Sequence, residues 1–137
     1  MTIRPVGLDH LVLRVREPER MVAFYRDVLG CALDRVNAPL GLWHLRAGRA
    51  FIDLVSVDGE LGRKGGPAAG PQGRNLDHLC LRVEPFDEAA IRAHLSAHGV
   101  AAGDTVRRYG AEGTGPSIYL EDPEGNTVEL KGPPDPA

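Results

Sequence analysis

Four residues of this chain have the types and placement to do chemistry together: His10, Asp53, His78 and Glu129. Each histidine stands third in an eight-residue phrase, LDHLVLRV at residues 8–15 and LDHLCLRV at residues 76–83, and the two copies differ at one letter. Each acid is bracketed by apolar residues, Asp53 by Ile52 and Leu54 and Glu129 by Val128 and Leu130. Two neutral imidazoles with one or two carboxylates suit a single divalent ion such as zinc, nickel, manganese, iron or cobalt. Any one of these residues alone is more often a hydrogen-bonded polar residue on a strand. The recurrence of both types at matching places points to a metal, and duplication of a purely structural strand is the other reading of the repeat.

The elements that must position these groups are read from periodicity. In the first phrase Leu11, Leu13 and Val15 oppose His10, Val12 and Arg14; in the second Leu79, Leu81 and Val83 oppose His78, Cys80 and Arg82. Period two predicts a strand with one apolar face, leaving the histidine on the other. A helix is predicted after each strand. Met21, Phe24, Tyr25, Val28 and Leu29 share one face of the first, opened near Pro18 and stopped at Gly30. The second runs from Pro85 to Gly99 with a weaker apolar face of Ala90, Ile91, Leu95 and Val100. GLWHLRAG and AFIDLVSV predict a hairpin turning near 47–49, and SIYLED and NTVEL flank the turn DPEGN. Further strands are predicted near 33–37 and 105–109, with YGAEGTGP as a long loop of the second half. Each half thus reads strand–helix–three strands, and if its first and last strands are neighbours, each half offers an imidazole and a carboxylate on one face. The copies are offset by 68 residues at the histidines (78 − 10) and by 76 at the acids (129 − 53). The stretch at 58–75, rich in glycine and proline, reads as a flexible crossover.

Bulk properties narrow the classes. A chain of 137 residues is long enough for one domain with a real core. A net charge of −3 carries no basic footprint for nucleic acid or an anionic membrane. No apolar run approaches the roughly 20 residues that span a bilayer, and the N-terminus lacks the apolar segment of a signal peptide, so the expected location is the cytoplasm and the expected partner a small molecule. Cys31 and Cys80 stand in no metal-binding spacing and are expected to be two buried thiols. His94 and His98 at i, i+4 have no third ligand in view and read as a helix face. His44 is assigned no role.

The phrases DHLVLRV, FYRDVLG, FIDL, DHLCLRV and SIYLEDPEGNTVEL, spread from Val6 to Lys131, resemble the vicinal oxygen chelate superfamily: glyoxalase I, fosfomycin-resistance enzymes, extradiol dioxygenases, methylmalonyl-CoA epimerases and bleomycin-binding proteins. The resemblance implies an α+β fold of two βαβββ modules, 6–57 and 76–131, in a U-shaped, barrel-like mixed sheet around a central metal-binding cavity. It implies His10, His78 and Glu129 as ligands, with Asp53, one methylene shorter than the family's usual residue, as fourth ligand or base. Arg14 matches an arginine that holds the glutathione carboxylate in glyoxalase I, although Val57 stands where those enzymes have a glutathione-binding asparagine. Ser117 and Tyr119 match phosphonate-contacting residues of the fosfomycin enzymes. A dioxygenase reading would use Tyr109 or Tyr119 as the acid–base residue. Trp43, the repeat mate of Tyr119, is either the opposite cavity wall or core, and Glu112 is a loop acid within possible reach. The favoured implication is isomerase or lyase chemistry through a metal-chelated enediolate, like that of lactoylglutathione lyase, on a small oxygenated substrate in a homodimer. The alternative from another class is a metal-free protein that sequesters a drug.

Overall fold

Alternating sequence becomes sheet where it was expected to, and the elements run in the order βαβββ twice. The computed structural model describes residues 1–137, and these fall into two compact units, Met1–Gly73 and Arg74–Ala137. The fold is α+β.

In the first unit, β1 (His10–Val15), β2 (Ala32–Asn37), β3 (Leu42–Ala47) and β4 (Ala50–Ser56) form one sheet in the order β1-β4-β3-β2. β1 lies parallel to β4, and the rest of the sheet is antiparallel. Its apolar face carries Leu13, Val15, Leu45, Ile52 and Leu54, all buried. Helix α1 (Pro18–Ala23) packs on β3 and β4 and supplies Met21 and Val22; its last turns widen to a π-helix over Phe24–Val28. Pro18 occupies the first turn, where its missing N–H has no helical partner to lose. Phe24 and Tyr25, both buried, meet edge to face with ring centres 5.5 Å apart. Trp43 lies on the core face with Leu45, opposite to His44 in the alternation of β3. The expected hairpin is present, with Ala47 paired to Ala50.

In the second unit, β5 (Leu79–Arg82), β6 (Val106–Gly110), β7 (Gly113–Glu121) and β8 (Thr127–Lys131) repeat the arrangement in the order β5-β8-β7-β6, with β5 parallel to β8. His78 directly precedes β5 rather than lying inside it. Helix α2 (Glu88–Ala97) starts at Asp87, whose Oδ1 accepts the Ala90 N–H at 3.0 Å, and buries only Leu95, in keeping with its weak apolar face. No helix is long and apolar enough to cross a membrane.

Three expectations are corrected. The glycine-rich YGAEGTGP is not a long loop: Gly110 pairs with Gly113 across a two-residue turn, and the glycines continue as strand. The reason is steric, because a Cβ at Gly115 would stand 2.5 Å from the Pro133 carbonyl. The crossover at 58–75 contains a 3₁₀ turn over Gly62–Gly65 that is held against the sheet. A Cβ on Gly62 would fall 1.8 Å from the Ser56 carbonyl oxygen, so only glycine fits this approach. Cys31 is buried as expected, but Cys80 is exposed. Partial desolvation and the Glu129 carboxylate beside it push the Cys80 thiol up to about 11, so it stays a neutral thiol near pH 7.

The turn before β8 is held from within by Asp122, with Arg74 donating to the Glu124 carbonyl and the Asn126 side chain. Buried Asp122 accepts the Glu124 N–H at 2.9 Å and the Asn126 N–H at 3.0 Å through Oδ1, and the Asn126 amide at 2.8 Å through Oδ2. Asp122→Ala orphans these donors and is expected to destabilise the protein by about 1–3 kcal/mol, read as a lower urea midpoint. An unchanged midpoint would show that the turn does not depend on this carboxylate.

Candidate functional site

Parallel pairing of first and last strands puts imidazole and acid on the same face of each unit. In the first unit His10 pairs with Phe51 and Val12 with Asp53. In the second Cys80 pairs with Glu129, which places His78 one step ahead on the same face.

The two histidines are prepared alike. His10 Nδ1 lies 2.7 Å from Asp9 Oδ2, and His78 Nδ1 lies 2.6 Å from Asp77 Oδ2. A carboxylate only accepts, so in each ring Nδ1 carries the proton and Nε2 keeps the lone pair of a ligand. The hydrogen bond to Asp9 raises the His10 pKa from its usual value, against a desolvation cost and with lesser help from the charges of Asp53 and Asp9. In the second unit, His78 Nε2 faces Glu129 Oε1 at 3.3 Å, and Glu129 is 5% exposed. Two lone-pair-bearing atoms at that distance need a shared proton or a cation between them. The donor set therefore fits a divalent metal at His78 and Glu129, with the His10 nitrogen prepared in the same way. No group of three or more histidine, cysteine, aspartate or glutamate side chains stands close enough together to hold a metal ion.

Asp53 behaves differently. It is 4% exposed, and its Oδ1 accepts from His44 Nδ1 at 2.8 Å across the β3–β4 pairing that sets His44 opposite Asp53. The acid of the first unit is thus held by a histidine of its own sheet. The two residues line a cavity of about 600 Å³, with His10, Arg14 and Lys64 as its other charged or titratable members. Val12, Leu42, Val55 and Leu61 give it an apolar wall.

Other expected site residues divide. Arg14 borders the cavity, but its guanidinium is directed at the crossover: Nε and Nη2 donate to the Gly62 carbonyl at 3.0 and 2.8 Å, Nη1 to Pro67 at 3.1 Å, and Nη2 also to Gly66. It secures the wall instead of presenting a free fork to a carboxylate. Trp43 is on the core face and takes no part in the cavity lining. The repeat mate of Tyr119 is His44, because His44 opposes Asp53 as Tyr119 opposes Glu129. Tyr119 stands at the second unit's donors, its ring 5.4 Å from that of His78 and edge-on to it, with the Arg108 guanidinium 4.1 Å over its face. Desolvation, then the Glu129 charge, push its phenol upward, against the lowering pull of Arg108, so it remains a donor at neutral pH. Ser117 is fully buried; its hydroxyl donates to the Val106 carbonyl at 3.1 Å and accepts from Arg108 at 2.6 Å, which closes it to a ligand. Tyr109 is 85% exposed and alternates away from Arg108, so it does not join Tyr119. Glu112, in the β6–β7 turn, is paired with Arg82 at 2.6 Å. His94 on α2 and His98 at its C-terminal cap meet at a tilt, with ring centres 4.5 Å apart.

Sequence reasoning missed His44. The signal was available: a hairpin centred between Ala47 and Ala50 pairs residues whose numbers sum to 97, which sets 44 against 53.

Comparison with known proteins agrees with the fold. The Salmonella typhimurium virulence protein STM3117 is 29% identical over 123 residues, 90% of this chain and 81% of that protein. Its crystal structure superposes with a TM-score of 0.73 at 27% identity, covering 97% of this chain and 99% of that one. The V. cholerae integron cassette protein VCH_CASS1 gives 0.77 at 28% identity over 96% and 98%. At the level of fold alone, the chain also matches lactoylglutathione lyase from Agrobacterium tumefaciens (TM-score 0.66, 23% identity, 93% and 94%). The same holds for the Listeria monocytogenes fosfomycin resistance protein FosX, complexed with Mn(II) and sulfate (0.68, 18%, 95% and 92%). Residues 7–130 match the Glyoxalase/Bleomycin resistance protein/Dioxygenase superfamily, and the chain belongs to that family.

Proposed function

We propose that this protein is a divalent-metal-dependent enzyme of the isomerase or lyase kind, acting on a small α-oxygenated carbonyl substrate. His78 and Glu129 serve as ligands, and His10 is held in the same ligand tautomer within its own unit. The observation that carries the reading is the 3.3 Å approach of His78 Nε2 to the buried Glu129 carboxylate while His78 Nδ1 is committed to Asp77. A divalent cation held there supplies Lewis acidity to substrate oxygens and stabilises the negative charge that develops on them. The aspartates before each histidine keep the ring nitrogens in the ligand tautomer. Tyr119, protonated and beside Glu129, donates a hydrogen bond toward the same place. Arg14, turned to the crossover, and Val57 give no support to glutathione as co-substrate. The fosfomycin-type reading is favoured by the Arg108–Tyr119 pair, which offers a cation and a phenol to an anionic substrate, but Ser117 does not serve it. The same chain screened with methylglyoxal–thiol adducts, fosfomycin and catechols separates these chemistries, and a protein without metal that retains a drug supports the sequestering alternative.

Two measurements test the ligand set. Wild-type protein reconstituted with manganese, nickel or zinc should hold about one ion per chain by elemental analysis, and His78→Ala should lose nearly all of it while keeping its circular dichroism. Stoichiometric metal in that variant would sink the assignment. Asp77→Asn keeps His78 and Glu129 but loosens the ring, and is expected to weaken metal affinity about 10- to 100-fold by competition with a chelating dye. Unaltered affinity would remove Asp77 from the scheme.

A further inference from the structure

We propose that His44 and Asp53 form an acid–base dyad that moves the substrate proton at the first unit's cavity. The inference rests on the reaction class given above but not on Asp53 touching metal. Asp53 is 4% exposed and lies under the sheet surface, whereas the His44 side chain is 22% exposed and borders the cavity. Both residues line the cavity, but the imidazole is the more exposed member and the one placed to meet a substrate, while the acid behind it orients the ring. Because the Asp53 carboxylate accepts from Nδ1, that nitrogen carries the ring proton and Nε2 carries the lone pair of a base. The Phe51 ring, 5.5 Å from His44 between centres, flanks the imidazole on the same sheet.

The ligand this arrangement takes is a small carbonyl compound with an acidic C–H next to the carbonyl. Nε2 accepts that proton; the C–H electron pair becomes part of a C=C bond, and the carbonyl π pair moves onto its oxygen. The imidazolium so formed keeps Nδ1–H on Asp53, which stabilises the charge. When the carbon that lost the proton carries a hydroxyl, the hydroxyl proton passes to the enolate oxygen and its oxygen becomes the new carbonyl. Return of the Nε2 proton to the former carbonyl carbon then regenerates neutral His44, completing an isomerisation without any oxidant or reductant. His44 is thus a catalytic residue and Asp53 a positioning residue.

The probe is hydroxyacetone in D₂O, with its α-protons followed by proton NMR in the presence of metal-reconstituted protein. Wild type should accelerate deuterium uptake over buffer, and His44→Gln should lower that acceleration by about 100-fold or more with metal content unchanged. Asp53→Asn should lower it as well while keeping His44 in place. Independently of turnover, nitrogen NMR of the wild-type histidines should show His44 with the proton on Nδ1 and a bare Nε2 near neutral pH. Wild-type exchange no faster than buffer, exchange at full rate in His44→Gln, or a proton on Nε2 would each overturn the dyad. The two readings fail separately: stoichiometric metal with exchange independent of His44 rejects the dyad alone. His44-dependent exchange in a protein that binds no metal rejects the metal reading alone.

Discussion

The parallel pairing of the first and last strands within each unit is the constraint on which the site depends. Helix α1 and the strand pair that follows it carry the chain back so that β4 lies beside β1, and the same path sets β8 beside β5. In that register every second residue of two strands shares a face, so His10, Val12 and Arg14 accompany Asp53, and Cys80 and Arg82 accompany Glu129. A slip of one residue would turn each histidine and each acid into the core and bring Leu13 or Ile52 out to water. Burial of these apolar side chains, at roughly 25 cal/mol per Å² of apolar surface, holds the register far more firmly than any polar contact at the site could. The chemistry sits on the face that the core does not use.

Much of this frame was legible from residues. The repeated LDHLxLRV phrase, the period-two alternation and the punctuation by Pro18, Gly30, Gly99 and DPEGN located strands and helices, because each reflects a local rule that tertiary packing reinforces. What escaped notice was set by non-local approach. YGAEGTGP reads as a loop by composition, yet its glycines stay in strand because the Pro133 carbonyl comes too near Gly115 for a side chain. Ser117 has the chemistry of a ligand contact and the burial of a core residue, and only the reach of Arg108 and the Val106 carbonyl shows which applies. The repeat offset of 76 at the acids sets Trp43 against Tyr119, while the ladder sets His44 there, because the chain from Tyr119 to Glu129 is one residue longer than that from His44 to Asp53. A ladder sum, once the turn is located, is a better guide to facing residues than a constant repeat offset.

The crossover shows how a polar side chain can be recruited for architecture. Arg14 and Arg82 occupy the same place in the repeat, but their guanidinium groups go different ways. Arg14 gathers carbonyls of the 3₁₀ turn, which approaches so near that Gly65 would place a Cβ within 2.3 Å of the guanidinium. Arg82 instead meets Glu112 and Glu84. Carbonyls in a tight turn would otherwise need water, and a planar donor with five N–H groups satisfies several at once. Its consequence is a cavity wall in the first unit that is built from the crossover itself.

The two units keep one frame and differ by one methylene at the acid, and that difference separates the partners the acids meet. Glutamate at 129 is long enough to bring its carboxylate within 3.3 Å of the His78 ring ahead of β5. Aspartate at 53 is shorter, and its oxygen meets the imidazole standing opposite on β3 at 2.8 Å. The opposite residue has diverged in step: a phenol, Tyr119, faces the longer acid, and an imidazole, His44, faces the shorter one. A tyrosine whose pKa is raised beside a carboxylate donates without exchanging its proton, whereas a histidine oriented by a carboxylate can both take and return one. The same backbone register thus gives the two acids different partners, an imidazole ahead of the parallel neighbour for Glu129 and the imidazole opposite for Asp53.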